Sequence, residues 1–270
     1  MTQPGAHSAS RDAATASPPG TGRFVWHDLM TSDVAKSLAF YKQLVGWTSR
    51  DVAMGEMGTY TMIAVDGRDI GGVTPQLREA ASPPHWLGYV TVDSVDAAVA
   101  VAKERGGTVH VPPTDIPDVG RFAVIADPAG AVTAPFTFSD DGPPETDAMP
   151  AGTVAWNELI TTDPVAAVNF YTAVYGWTVE TMRMEMGEYS IFKRGDVKAA
   201  GMLQMPPGAQ GPPAWLTYIV VDDVDASTEN VTKLGGRAHV QPTDIEGVGR
   251  FSVVSDPVGA MFALFKGGAE

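Results

Sequence analysis

This chain of 270 residues contains an internal duplication, which limits the folds that it can adopt. The segment that begins at Trp26 returns at Trp156, and the segment that begins at Trp86 returns with nearly the same spacing at Trp215. The spacing is that of a whole domain, because solenoid repeats run to only about 20 to 50 residues. We therefore expect two similar domains and a function that depends on both.

Composition shifts along the chain predict its domain boundaries. Residues 1–22 are rich in small and polar residues and lack the apolar run of a signal peptide, so we expect a disordered tail. We place the first domain at residues 23–138 and the second at residues 153–270, joined by an exposed linker of residues 139–152. Each domain is long enough to form a hydrophobic core. We expect a monomer in which the two domains form an internal pseudo-dimer.

Charge and composition exclude several classes of function. The formal net charge of −14 opposes binding to nucleic acid and to anionic membranes, which need clustered Lys and Arg. No stretch approaches the roughly 18 apolar residues of a membrane span. The chain has no cysteine, which excludes disulfides and thiolate metal sites and fits a cytoplasmic protein. A small molecule is therefore the expected partner.

Local patterns predict the same order of elements twice in each domain. In the first domain, Asp33 is a helix N-cap, apolar residues follow at helical spacing, and the helix ends near Gly46. Three strands follow, and a second unit repeats the order with a helix over residues 94–105. Each domain thus consists of two βαβββ units. We predict an α+β fold with two tandem domains, each a curved mixed sheet with helices outside.

These patterns resemble a known family. The Phe40-Tyr41 pair followed by Gly46-Trp47, the helix start at Asp93 and the Gly-Arg-Phe segment before Asp127-Pro128 are similar to segments of the vicinal oxygen chelate superfamily. That superfamily includes glyoxalase I, bleomycin-resistance proteins and extradiol dioxygenases. The tandem form resembles an actinobacterial group described as glyoxalase-like or hydroxylase-like.

The resemblance also implies where a divalent metal would be bound. The family's ligand positions fall on Trp26, Leu87 and Ala134 in the first domain, and on apolar residues in the second: Trp156, Leu216 and Ala263. None of these side chains offers a metal ligand. We therefore expect no metal cofactor. The alternative is an alignment slipped by one residue, which would make His27 and His85 ligands of nickel, zinc, manganese or iron.

Strand alternation indicates the character of the site without a metal. Trp26 and Asp28 share a strand face, as do Trp156 and Glu158. Asp28 and Glu158 are our candidate catalytic residues. The candidate ligand-binding residues are aromatic or basic: Trp26, Tyr60, Trp86, Arg121, Trp156, Tyr189, Trp215 and Arg250. The structural alternative is that each carboxylate only pairs with a neighbour, and Arg121 and Arg250 are then candidate partners.

Two hypotheses of function follow. The first is metal-independent binding of a partly aromatic or hydrophobic small molecule, as in the bleomycin-resistance branch that the resemblance implies. The second is a glyoxalase-like enzyme: a lyase, isomerase, oxygenase or hydroxylase. It would use a carboxylate or histidine as its base, and a divalent metal is an optional cofactor in this hypothesis. An interaction surface for another protein has no positive signal in the sequence.

Overall fold

The computed structural model describes most of the chain. The described ranges are residues 21–55, 58–76, 82–143, 149–184, 187–209 and 211–268. The predicted disordered tail falls outside these ranges except for residues 21 and 22, and so does part of the predicted linker, residues 144–148. In the described part of the chain, every helix is too short or too polar to span a membrane.

The first domain contains eight strands and two helices among its described residues. They are β1 (Phe24–Thr31), α1 (Val34–Val45), β2 (Thr48–Ala53), β3 (Thr59–Val65), β4 (Arg68–Pro75), β5 (His85–Thr91), α2 (Val95–Glu104), β6 (Thr108–Ile116), β7 (Gly120–Ala126) and β8 (Val132–Phe138).

The second domain repeats this order. Its elements are β9 (Val154–Thr161), α3 (Pro164–Tyr175), β10 (Thr178–Met184), β11 (Gly187–Arg194), β12 (Val197–Gln204), β13 (Ala214–Val220), α4 (Val224–Lys233), β14 (Arg237–Ile245), β15 (Gly249–Ser255) and β16 (Met261–Gly267). The α+β class and the two tandem domains of paired βαβββ units are confirmed.

The helices begin and end where local chemistry dictates. The Asp33 carboxylate accepts a hydrogen bond from the Lys36 amide at 3.0 Å and so caps α1. Asp163 caps α3 in the same way. Both helices end at a glycine in the left-handed region, Gly46 at φ 74° and Gly176 at φ 67°. Such a φ strains any residue with a Cβ atom, so glycine ends these helices at little cost.

Each domain forms one mixed sheet of eight strands. The first sheet has the order β2-β3-β4-β1-β5-β8-β7-β6, and the second repeats it as β10-β11-β12-β9-β13-β16-β15-β14. The two βαβββ units of a domain meet at an antiparallel pair, β1 with β5 or β9 with β13. The strands at the centre of each sheet are therefore the first strands of the two units.

The helices lie outside the curved sheets, as the sequence predicts, and there they pack against the other domain. One apolar cluster joins Val95 and Ala98 of α2 to Phe170 of α3, and a second joins Phe40 of α1 to Val231 of α4. A helix with a single apolar face could bury that face against the sheet of its own domain. Here the opposite domain covers the rest, so the domains share their main hydrophobic core.

The tryptophans of the two Gly-Trp motifs form hydrogen bonds between the domains. Trp47 Nε1 donates a hydrogen bond of 2.8 Å to the Gly152 carbonyl, which lies just before the second domain. Trp177 Nε1 donates an equivalent bond of 2.8 Å to the carbonyl of Gly22. Gly22 was predicted to belong to the disordered tail. Its carbonyl lies instead at the domain interface, where it accepts the hydrogen bond from Trp177.

Candidate functional site

The face of each sheet opposite the helices is mostly apolar. In the first domain its central side chains include Leu87 at 4% exposure, Tyr89 at 8% and Ala134 at 0%. No described helix covers these side chains, so the sheet itself must curve around them. The equivalent residues Leu216 and Tyr218 are also buried in the second domain. Each domain therefore has a concave, mostly apolar face opposite its helices.

In the first domain, a polar cluster lies at the centre of the concave face. We call it the Asp28 cluster; its members are Trp26, Asp28, Tyr60 and Tyr89. The Tyr60 hydroxyl donates to Asp28 Oδ1 at 2.5 Å, and the Tyr89 hydroxyl donates to Oδ2 at 2.9 Å. Trp26 Nε1 lies 3.1 Å from Asp28 Oδ1 and 2.8 Å from the Tyr60 oxygen. One buried carboxylate thus accepts from three aromatic side chains.

The second domain has a matching Glu158 cluster, whose members are Trp156, Glu158, Tyr189 and Tyr218. The Tyr189 hydroxyl donates to Glu158 Oε1 at 2.9 Å, and the Tyr218 hydroxyl donates to Oε2 at 2.8 Å. Trp156 Nε1 donates to the Tyr189 oxygen at 3.2 Å. The same chemical arrangement is therefore built twice, with a carboxylate that is one methylene longer in the second domain.

Burial controls the protonation of both clusters. It raises the pKa of Asp28 and of Glu158 above the ordinary values for these residues, and the hydrogen bonds from the tyrosines partly oppose this effect. Burial and the neighbouring carboxylate also raise the pKa of Tyr60 and Tyr89. The tyrosines therefore remain protonated donors. A carboxylate with a raised pKa is a stronger base than a solvated one.

A glycine on the adjacent strand makes room for each cluster. A Cβ atom built on Gly72 of β4 would overlap the Tyr60 hydroxyl and lie 2.8 Å from Asp28 Oδ1. A Cβ atom on Gly201 of β12 would overlap the Tyr189 hydroxyl in the same way. Glycine at these positions lets the tyrosine reach across the strand to the carboxylate.

The structure brings together six of the sequence-predicted site residues. Trp26, Asp28 and Tyr60 meet in the first domain, and the others meet in the second: Trp156, Glu158 and Tyr189. The sequence-based selection omitted Tyr89 and Tyr218. Strand alternation could have identified Tyr89, because it lies two residues after Leu87 and must share its face.

Trp86 and Trp215, which were expected to line the pocket, lie on the opposite face. Trp86 packs edge-on against Tyr41 of α1 in the shared core, with ring centroids 5.6 Å apart. Trp215 Nε1 donates to the Tyr171 hydroxyl of α3 at 2.9 Å. Each tryptophan immediately precedes a leucine of the concave face, so alternation turns it towards the helices. Neither tryptophan contacts the carboxylate clusters.

Arg121 and Arg250 do not pair with Asp28 and Glu158 either. Arg121 forms ion pairs with Asp96 at 2.8 Å and Asp115 at 2.6 Å, and these aspartates are exposed. Arg250 forms the equivalent pairs with two exposed aspartates, Asp225 and Asp244. Each arginine precedes a phenylalanine of the concave face and therefore points to the helix side. The partners of the buried carboxylates are neutral aromatic donors instead.

A surface cavity of about 440 Å³ adjoins these exposed ion pairs. Its lining includes Asp96, Asp115 and Arg121, whose charges satisfy one another in contact with solvent. Exposed ion pairs of this kind contribute little to the free energy of unfolding, and they do not by themselves indicate a binding site. We therefore place the candidate site at the carboxylate clusters of the concave faces.

The residues at the family's metal positions do not fit a metal. Trp26 is the cross-strand partner of Tyr89, which is in turn the partner of Ala134, and Leu87 pairs with Asp28. The three positions thus converge on the concave face, yet they provide an indole, an isobutyl and a methyl group. Among the described residues, no group of three His, Cys, Asp or Glu side chains could hold a metal ion.

The alternative ligands His27 and His85 do not come together. His27 is buried on the helix side, where its Nε2 lies 2.9 Å from Asn157 Oδ1. His85 lies at the start of β5 on the other face, and its Nδ1 lies 2.9 Å from the Pro83 carbonyl. Residues 27 and 85 therefore face opposite sides of the sheet and cannot bind one ion.

Comparison with known proteins places this architecture in a broad group. A family model described as "Glyoxalase/Bleomycin resistance protein/Dioxygenase superfamily" matches residues 23–133 and 153–264. A Mycobacterium tuberculosis protein named "Putative glyoxylase CFP32" is 38% identical over 246 residues, which are 89% of this chain and 93% of that protein. The anthracycline biosynthesis protein DnrV of Streptomyces peucetius is 32% identical, over 90% of this chain and 92% of its own.

Solved structures share the fold at low sequence identity. The 2,3-dioxygenase LapB from Pseudomonas sp. KL28 matches with a TM-score of 0.59 and 13% identity, over 93% of this chain and 94% of that chain. The Mn(II)-bound glyoxalase from Novosphingobium aromaticivorans matches with a TM-score of 0.61 and 17% identity, over 91% and 81%. At these identities the likeness extends to the fold and carries no activity to this chain.

Proposed function

The chain belongs to the Glyoxalase/Bleomycin resistance protein/Dioxygenase superfamily, and we propose that it binds a partly aromatic small molecule on its concave faces without a metal. The carboxylate of Asp28 or Glu158 is the polar anchor of the ligand. Apolar and aromatic side chains around each carboxylate hold the rest of it. Trp26 and Tyr60, which donate to Asp28, are themselves only half-buried and offer part of their surface to a ligand.

One observation carries this proposal: each domain holds a buried carboxylate at the centre of an otherwise apolar face. Asp28 is 6% exposed and Glu158 is 7% exposed. Burying a carboxylate without a basic partner costs several kcal/mol, and the neutral donors offset only part of that cost, since the pKa of both carboxyl groups stays raised. Few, precisely placed polar groups in an apolar concavity are typical of small-molecule sites. The relationship to a protein named for anthracycline biosynthesis is consistent with an aromatic ligand.

A calorimetric titration tests the proposal. Protein dialysed against a chelator is titrated with naphthalene derivatives as model aromatic ligands, and binding is expected without added metal. The Asp28→Asn and Glu158→Gln variants should each weaken binding, whereas Asp96→Asn, the same change at an exposed aspartate, should not. Binding that appears only after a metal is added would contradict the proposal.

A second candidate function is acid–base catalysis at the same clusters. It is favoured by the raised pKa of the buried carboxylates, which suits a general base. In such an enzyme, a carbon–hydrogen bond beside a substrate carbonyl breaks, its proton moves to the carboxylate of Asp28, and the electron pair moves to the carbonyl oxygen.

Deuterium exchange separates this second function from binding alone. The probe is 2-tetralone in D₂O, whose acidic carbon-bound protons are followed by NMR. An enzyme should accelerate their exchange, and the double variant Asp28→Asn with Glu158→Gln should lose at least about 10²-fold of that acceleration. Exchange at the rate of buffer with the unmodified protein would rule out this chemistry for the probe and leave binding as the function.

A further inference from the structure

The hydrogen-bond donors of the Asp28 cluster are all directed at the carboxylate. An indole and a phenol each have a single donor hydrogen. Trp26 directs its N–H between Asp28 Oδ1 and the Tyr60 oxygen, and both tyrosine hydroxyls donate to Asp28. With Asp28 ionised, no donor of the cluster remains for a ligand. The cluster can offer only acceptor atoms, which are the carboxylate and the two phenol oxygens.

The Glu158 cluster gives the same result independently. Tyr189 and Tyr218 donate their hydroxyl hydrogens to the two oxygens of Glu158, and Trp156 donates its N–H to Tyr189. Again the ligand meets acceptors alone. A ligand that can be held at either cluster must therefore bring its own hydrogen-bond donor.

The charge of the two carboxylates indicates which kind of hydrogen-bond donor the ligand has. Within the described residues, no ion pair joins Asp28 or Glu158 to a basic side chain, and Arg121 and Arg250 pair with exposed aspartates instead. Each buried carboxylate is balanced only by neutral donors. The chain as a whole carries a net charge of −14, which attracts cations over a distance. A positively charged donor would complete both sites.

The surrounding rings fit the same chemistry. Tyr89 lies in a cluster of aromatic side chains on the concave face, with ring centroids 6.0 Å from Phe122 and 6.1 Å from Phe136. The electron-rich faces of such rings attract organic cations, and more so where water is excluded. The rings also provide apolar surface for the body of a ligand.

We propose that the ligand bound on the concave faces is an organic cation, an aromatic or apolar body that carries a protonated amine. The ammonium group donates to Asp28 or Glu158 and to the phenol oxygens beside it, while the body packs against the aromatic rings. This inference rests on the proposed function, because it identifies the ligand class of the same site.

Three probes with one naphthalene body test it: 1-naphthylmethylamine, 1-naphthylmethanol and 1-naphthoic acid. They present a cation, a neutral donor and an anion to the same surface, and calorimetry at pH 7 measures each affinity. The amine should bind at least about tenfold more tightly than the alcohol, and the acid should bind most weakly. In the double variant Asp28→Asn with Glu158→Gln, the preference for the amine should disappear. The matched control, Asp96→Asn with Asp225→Asn, removes two exposed charges and should keep it.

The outcomes separate the ligand class from the function. An alcohol or acid that binds as tightly as the amine would overturn the cation proposal, while binding of the naphthalene body would still support a small-molecule site. A preference for the amine that survives in the double variant would also overturn it, since the cation would then be bound elsewhere. Failure of all three probes to bind would contradict both proposals.

Discussion

His27 of the first domain and Asn157 of the second contact each other directly, with His27 Nε2 2.9 Å from Asn157 Oδ1. The two residues occupy the same place in the two copies of the sequence, so the pseudo-twofold relation between the domains passes through this contact. Both side chains are buried on the helix side of their sheets. The contact therefore belongs to the shared core and not to a metal site.

This contact predicts a loss of stability in acid. Burial lowers the pKa of His27 from 6.5 to about 4 in the folded protein. Between pH 6.5 and pH 4 the imidazole of His27 is protonated in the unfolded chain but not in the folded protein. The contribution of neutral His27 to the stability of the fold is therefore complete above pH 6.5 and is lost as the pH falls towards 4. From pH 7 to pH 5 the contribution of His27 to the free energy of unfolding should fall by about 2 kcal/mol. Urea denaturation at both pH values measures this change.

The control is His27→Asn, which places an asparagine opposite Asn157 and removes the titrating ring. Asp28 and Glu158 have raised pKa values, so their contributions change in the opposite direction, being lost as the pH rises. They are present in both proteins and cancel in the comparison. An equal loss of stability in the variant and the unmodified protein would show that His27 is not the group responsible.

Replacement of Gly72 by alanine should impair the first site without unfolding the domain. The added methyl group would displace the Tyr60 hydroxyl, which is the end of a side chain, from Asp28. Loss of this charge-assisted hydrogen bond should weaken ligand binding at that domain about tenfold. Calorimetry with 1-naphthylmethylamine measures the loss. Gly268→Ala is the matched control, since a Cβ atom there would make only ordinary van der Waals contacts, the nearest at 3.8 Å. An unchanged affinity in Gly72→Ala would show that the hydrogen bond from Tyr60 to Asp28 does not contribute to ligand binding.

Trp47→Phe should destabilise the association of the domains by about 2 kcal/mol, because it removes a buried hydrogen bond and leaves the Gly152 carbonyl without that donor. Trp177→Phe makes the same change against Gly22 and should have a similar effect. Chemical denaturation of each variant measures the free energy of unfolding. If either substitution costs less than about 0.5 kcal/mol, that tryptophan does not fasten the two domains.

The two concave faces should accept ligands of different size. Phe138 packs at the edge of the first apolar cluster, where its ring lies 4.8 Å from that of Phe136, and Gly267 takes its place in the second domain. We predict that 9-aminomethylanthracene, a tricyclic cation, binds once per chain and that Phe138→Gly raises the stoichiometry to two. Calorimetric stoichiometry measures both values. Two binding events in the unmodified protein would contradict this role of Phe138.

The fold could be predicted closely because it depends on local signals. The two helices of the first domain begin and end within one residue of their predicted positions, since capping residues such as Asp33 and Gly46 act through their own backbone neighbours. The placement of the helices between the domains could not be predicted in this way. It depends on which surface covers Phe40 and Phe170, and such contacts join residues far apart in the sequence.

The candidate site was partly predictable for the same reason. Alternation along β1 placed Trp26 and Asp28 on one face, and the structure joins them through a hydrogen bond. Applied to β5, the same rule would have predicted Trp86 in the core on the helix side and Tyr89 among the residues of the site. The partners of Arg121 could not be read from its own strand, because Asp96 reaches it from the start of α2.

We propose that the concave faces act through a buried carboxylate and aromatic rings in place of a metal. Elemental analysis can decide this, on protein incubated with nickel, zinc, manganese or iron(II) and then freed of unbound ion. We expect less than about 0.1 tightly held ion per chain, because Trp26, Leu87 and Ala134 provide no ligand atoms. Retention of about one ion per domain would contradict it.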